Sequence, residues 1–123
     1  MSGTKLLIDT NIALYLLGGN QTIQAVLDKN TIFISFITQL ELLGYKGITD
    51  LEKNQIKNFI KDCVIIDIND EIKIKTIEIK EKVTIKLPDA IIAATSIVFD
   101  LPLLSADKGL IKIENLNLIL FED

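Results

Sequence analysis

Short apolar runs alternate along the chain with longer stretches in which apolar residues recur every three or four positions. The short runs read as strands and the longer ones as amphipathic helices. Residues 6–9 (LLID) form a buried strand that ends in an acid, and residues 12–17 (IALYLL) supply the first turns of a helix. Residues 22–29 have helical spacing. TIFIS, at 31–35, is β-branched and aromatic, which predicts a second strand. ITQLELLGY, at 37–45, predicts a helix ending near Gly44. Thr49 and Glu52 stand in the S/T-x-x-E spacing of a capping box, and Ile56, Phe59 and Ile60 continue that helix. CVIID (63–67) reads as a third strand. Pro88 sits where the first turn of a helix tolerates proline, and residues 89–99 follow as a buried helix. LPLLS (101–105) and NLNLILF (115–121) are the last two strands.

The segment 70–86 carries two periods at once. EIKIK and IEIKEK alternate as a strand would. Yet Asn69 is a good N-cap, the run is long for a strand, and Ile72, Thr76, Ile79 and Val83 share one helical face, so the spacing predicts a helix. The complete order is strand–helix–helix–strand–helix–helix–strand–helix–helix–strand–short helix–strand. Such alternation predicts an α/β fold of three layers, a mostly parallel sheet between helices, in a single domain spanning 1–123.

Composition fits a folded domain: 123 residues, 49% hydrophobic and 24% charged. It also removes much chemistry. The chain has 13 lysines but no Arg, His or Trp, a single Cys, and 17 acids, for a net charge of −4. Without His there is no Ser-His-Asp or Cys-His catalysis and no imidazole base. With only Cys63, a structural zinc site has no ligands. One Cys makes no intrachain disulfide, which suits a reducing cytoplasm, the expected location. Cys63 lies at an apolar run and reads as an inert thiol. No signal peptide or membrane span is predicted, because Asp9 arrives early and the longest uncharged apolar stretch, 90–99, is too short. Carboxylates, hydroxyls and lysines remain, and carboxylates are hard ligands suited to Mg²⁺ or Mn²⁺.

Ligands of parallel sheets bind beyond the carboxyl ends of the strands. Asp9 closes the first strand, and Asp107 follows the fourth. Asp89 opens a helix, where free N–H groups and the positive dipole end favour an acid. Glu41 sits among leucines, either on a solvated stripe or partly buried with a partner. Each has an ordinary alternative. Asp9 can be an N-cap, Asp89 a first-turn acid, Asp107 a turn residue and Glu41 the wet side of a helix. Together, at one sheet edge, they would make a cation site.

The stretches LIDTNIALYLL, ISFITQLELLGY, KLPDAIIAATSI and LLSADKGLIKIENLNLI resemble the successive motifs of PIN-domain proteins, in order and spacing, from about Leu6 to Phe121. The resemblance is greatest to the VapC-type ribonuclease toxins of bacterial toxin–antitoxin systems. It implies an α/β/α sandwich and metal-dependent RNA cleavage. It places the four family acids on Asp9, Glu41, Asp89 and Asp107, with Ser105 and Asn11 as supporting residues. It implies Asp9 and Asp89 as principal metal ligands, Asp107 completing or supporting the site, and Glu41 serving a second metal or the attacking water. The partners it implies are an RNA substrate, a cognate antitoxin and a second copy in a homodimer. Leu110 stands where the family often has an aromatic residue. Lys86 and Lys108, near the motifs, are candidate phosphate contacts.

Two other classes compete. A phosphoacceptor receiver domain has similar length and alternation, with Asp67 as its acceptor. It wants an acid pair after the first strand and a Lys after the fifth, and this chain has Thr10 after Asp9 and no Lys after residue 121. A catalytically inactive interaction module would use the apolar faces of residues 12–19 and 34–45 to seat a partner helix.

Overall fold

The computed structural model, described over residues 4–122, places the elements in the predicted order. They are β1 (Lys5–Ile8), α1 (Thr10–Leu17), α2 (Gln21–Asp28), β2 (Thr31–Ser35), α3 (Phe36–Leu43), α4 (Asp50–Lys61), β3 (Val64–Ile66), α5 (Asp70–Lys82), α6 (Leu87–Phe99), β4 (Leu103–Ser105), a 3₁₀ helix (Lys108–Lys112) and β5 (Leu118–Leu120). The strands form one sheet in the order β3-β2-β1-β4-β5, and every neighbouring pair is parallel. Leu7 pairs with Phe33 on one side and Leu103 on the other.

Side chains of β1 point alternately to the two faces, so each face gathers its own core. Leu7 joins Ile72 and Ile79 of α5 and the run Ala90–Ala94 of α6. Leu6 and Ile8 join Ile12 of α1, Ile23 and Leu27 of α2, and Ile56 and Ile60 of α4. α3 serves both faces, with Phe36 and Ile37 packed on the first core and Leu42 buried in the second. The result is the expected sandwich. A sheet covered on both faces wants continuous apolar strands, which is why LLI and TIFI carry so few polar residues. Among the described residues no helix is long and apolar enough to cross a membrane.

Helix starts follow the predicted caps. Asn69 accepts the Ile72 N–H at 2.8 Å. Thr49 and Glu52 close their box, each side chain accepting the other's backbone N–H at 3.1 and 3.0 Å. The segment that carried two periods is α5, and it stops at Lys82 rather than running on towards 86. Val83 is extended (φ −133, ψ 150), and Val83 and Ile85 turn onto the α5/α6 core. The strand-like alternation arises because α5 is apolar on two sides. Ile72 and Ile79 are buried, whereas Ile74 and Ile77 face solvent at 59% exposure.

The chain passes from β1 outward to β2 and β3, then returns to β4 on the other side of β1. The strand order therefore reverses between β1 and β4, and the crevice that such a reversal opens lies beyond their carboxyl ends.

Candidate functional site

Asp9 leaves β1 at that crevice, its N–H reaching the Leu104 carbonyl of β4 at 3.4 Å. One carboxylate oxygen caps α1 by accepting the Ile12 N–H at 3.0 Å, and the other accepts the Ser105 hydroxyl. Ser105 ends β4 fully buried, and its oxygen also accepts the Asp107 N–H at 3.0 Å. One hydroxyl thus ties Asp9 to the turn that carries Asp107. Asp107 is exposed and caps the 3₁₀ helix, accepting the Gly109 N–H at 2.8 Å.

Asp89 lies half-buried in the first turn of α6, beside free backbone N–H groups. Among the described residues no donor is hydrogen-bonded to its carboxylate. Glu41 is exposed on α3, but it has a partner: the Thr10 hydroxyl lies 2.6 Å from its Oε1. Thr10 also meets the buried Thr38 hydroxyl at 3.0 Å. A hydroxyl carries one proton and an ionised carboxylate only accepts, so the Thr10 proton points at Glu41 and Thr38 donates to Thr10.

Asp9, Glu41 and Asp89 line one open cleft of about 700 Å³, together with Asn11, Lys46 and Lys86. Asp107 lines the adjoining cleft of about 580 Å³, with Lys112. Asn11, Lys86 and Asp89 belong to both, so the two clefts share a wall. The four predicted acids are therefore neighbours along one trough, although among the described residues no three form a ready-made cation cage.

Their charges are felt all the same. Burial raises the Asp9 pKa; the Ser105 and Ile12 hydrogen bonds oppose that, and the charges of Asp89 and Asp107 reinforce it. Burial also raises the Asp89 pKa, followed by the charges of Asp107 and Glu41, with Lys86 opposing. Asp89 is thus in electrostatic contact with all three other acids. The donors are oxygens alone, a set that suits a hard divalent cation. Mg²⁺ commonly takes only one or two carboxylates and keeps several waters, so a cage of three is not required. The residues fit such an ion.

Other expectations at the site need adjustment. Asn11, expected to order Asp9, lines the trough with no hydrogen bond to Asp9; Ser105 and the Ile12 N–H hold that carboxylate. Lys108 turns away to Glu122 at 3.5 Å and lines neither cleft, whereas Lys86 lines both. Thr10, Tyr45, Lys46 and Lys112 are at the trough unannounced. A hydroxyl directly after Asp9 was the one available signal for Thr10.

The PIN domain family model matches residues 6–116. Among solved structures, VapBC2 from Rickettsia felis bound to a DNA fragment from its promoter superposes with a TM-score of 0.85 at 22% identity, covering 96% of this chain and 99% of that one. DNA-bound VapBC from Salmonella typhimurium gives 0.87 at 20% identity, covering 94% and 97%. A toxin–antitoxin complex from Klebsiella pneumoniae gives 0.79 at 27% identity, covering 93% and 95%. No curated protein matches by sequence.

Proposed function

From the premise that the chain belongs to the PIN-domain family, we propose that it is a metal-dependent endoribonuclease and the toxin of a toxin–antitoxin pair. PIN domains are in general nucleases that work with divalent metal ions. The observation that carries the proposal is the trough at the β1/β4 crevice, which gathers Asp9, Glu41, Asp89 and Asp107 along two adjoining clefts, with Asp89 feeling the charges of Asp107 and Glu41 and raising the Asp9 pKa in turn. The likeness to toxin–antitoxin complexes supports an antitoxin partner, and a homodimer in the cytoplasm is the accompanying expectation.

Phosphodiester hydrolysis needs an activated water, relief of charge on the phosphate and a stabilised leaving oxygen, and a bound Mg²⁺ or Mn²⁺ supplies these. Asp9 and Asp89 would hold the ion, with Asp107 supporting from the adjoining cleft. The Ser105 hydroxyl and the Ile12 N–H fix both oxygens of Asp9, so the sheet edge would set how this carboxylate meets the ion. Glu41, aimed by Thr10, orients the attacking water. Lys86 meets phosphate as a point charge; with no Arg in the chain a bidentate guanidinium grip is absent.

The test is cleavage of RNA by the purified, antitoxin-free protein with Mg²⁺, with EDTA, and as Asp89→Asn. Cleavage that needs metal and is abolished by Asp89→Asn, with circular dichroism and a cooperative melt preserved, is the expected result. Full activity in Asp89→Asn would overturn the site assignment. A metal-loaded wild type that binds its antitoxin and leaves RNA intact would point to the inactive interaction module.

A further inference from the structure

The chain has no Trp and only two tyrosines. One of them, Tyr15, packs its ring on Phe121, 5.9 Å between centroids. The other, Tyr45, is 49% exposed on the wall of the cleft that holds Asp9, Glu41 and Asp89, and Lys46 beside it lines the same cleft. We infer that Tyr45 is a positioning residue on which a base of the nucleic-acid strand stacks, while Lys46 takes an adjacent phosphate. This rests on the nuclease reading above and adds to it the element that seats the strand.

The turn that presents the pair is built rather than loose. Gly44 ends α3 with its N–H on the Leu40 carbonyl at 2.9 Å, and a Cβ there would come within 3.0 Å of that oxygen. Gly47 takes the left-handed conformation (φ +75) that side chains disfavour. Two positions that call for glycine thus bracket the turn. Tyr45 follows Glu41 by four residues and also lines a hollow of about 290 Å³ with Leu14, Leu17 and Ile48. Tyr45 thus stands on the ridge between this hollow and the trough, with about half of its surface open to solvent. An exposed aromatic surface beside a cation is the physical recipe for seating a single strand, because every base has a π-face and every step a phosphate.

The experiment uses the Asp89→Asn/Tyr15→Phe variant, in which Tyr45 is the remaining tyrosine. A short single-stranded RNA of mixed sequence is titrated in Mg²⁺ while tyrosine emission is read. Quenching of that emission on binding is expected. Tyr45→Ala in the Asp89→Asn background should weaken Kd about tenfold, the lower part of the range for loss of one stack. Tyr45→Phe should bind normally. Lys46→Ala should lower the salt slope of log Kd by about 0.7, as expected for one phosphate on a single strand. In the otherwise wild-type enzyme, Tyr45→Ala should raise KM with kcat nearly kept. Unquenched emission together with an unchanged Kd in Tyr45→Ala would overturn the inference. If Tyr45→Ala unfolds, Tyr45→Leu decides, since Leu keeps an apolar side chain at the hollow's edge without a ring to stack, and normal binding by it would overturn the inference. Quenching with no cleavage by wild type would leave this seat standing and remove the nuclease reading; cleavage indifferent to Tyr45 would do the reverse.

Discussion

Asp9 does two jobs with one carboxylate, and two substitutions separate them. Its Oδ1 caps α1 and its Oδ2 takes the Ser105 hydroxyl. Asp9→Ala removes both. Loss of an N-cap costs about 1 kcal/mol, and leaving the buried Ser105 hydroxyl short of a partner costs about 1–3 kcal/mol. Relief of the buried charge offsets part of this, so a net loss of about 2 kcal/mol is expected, near 8 °C in Tm at this chain length. Asp9→Asn keeps an oxygen for the cap and offers its amide N–H to Ser105, whose oxygen can still accept. It should stay within about 1 kcal/mol of wild type in EDTA. Metal separates the pair further. Free Mg²⁺ at ten times its Kd stabilises wild type by about 1.4 kcal/mol through mass action, about 5 °C, and should do little for Asp9→Asn. The assay is thermal melting of the three proteins in EDTA and across a Mg²⁺ series. Asp9→Asn as unstable as Asp9→Ala in EDTA, or Asp9→Asn with the full Mg²⁺ shift, would refute the division of labour.

In EDTA, stability owed to Asp9 and Asp89 is fully present below their unfolded value of 3.8 and is lost as pH rises through their raised folded values. Urea melts should therefore find Asp89→Asn more stable than wild type at pH 7, with the advantage gone near pH 4; a pH-independent difference would refute the burial and repulsion that raise the Asp89 pKa. Thr10→Val removes the donor that aims Glu41 and should lower kcat about tenfold with KM held, while Thr10→Ser restores it, as steady-state kinetics will show. Burial, reinforced by Asp62, pushes the Cys63 thiol up to about 12, so native protein should resist a disulfide-exchange reagent at pH 8 and react promptly in urea.

The order of elements was legible because each strand is a short apolar run and each helix keeps its own period. The α5 boundary was not, since Val83 and Ile85 are apolar whether they continue a helix face or turn onto the core in extended backbone. The acids were legible as positions: Asp9 and Asp107 by strand ends, Asp89 by its proline. Their supports were only partly so. Ser105 to Asp9 spans 96 residues and Thr10 to Glu41 spans 31, and such pairs exist only once β4 lies beside β1 and α3 lies against α1. The same holds for Lys46 and Lys86, which the strand reversal brings to one cleft from either side of α4, β3 and α5.

That convergence changes what the net charge means. Taken over the whole chain, −4 argues against a protein that meets polyphosphate. Set the four trough acids aside, however, and 13 acids face 13 lysines. The excess is therefore equal to one site's worth of carboxylates, and they stand where parallel sheets of this kind receive ligands. A surplus spread over the surface would repel RNA everywhere and hold no cation. Gathered beside Lys46, Lys86 and Lys112, it would, on the proposed function, make a place where a divalent ion lowers the cost of the repulsion and lets phosphate approach. With no Arg or His in the chain, the carboxylates are the chemistry it has, and the switch point between β1 and β4 is what turns four ordinary cap and turn acids into one electrostatic unit.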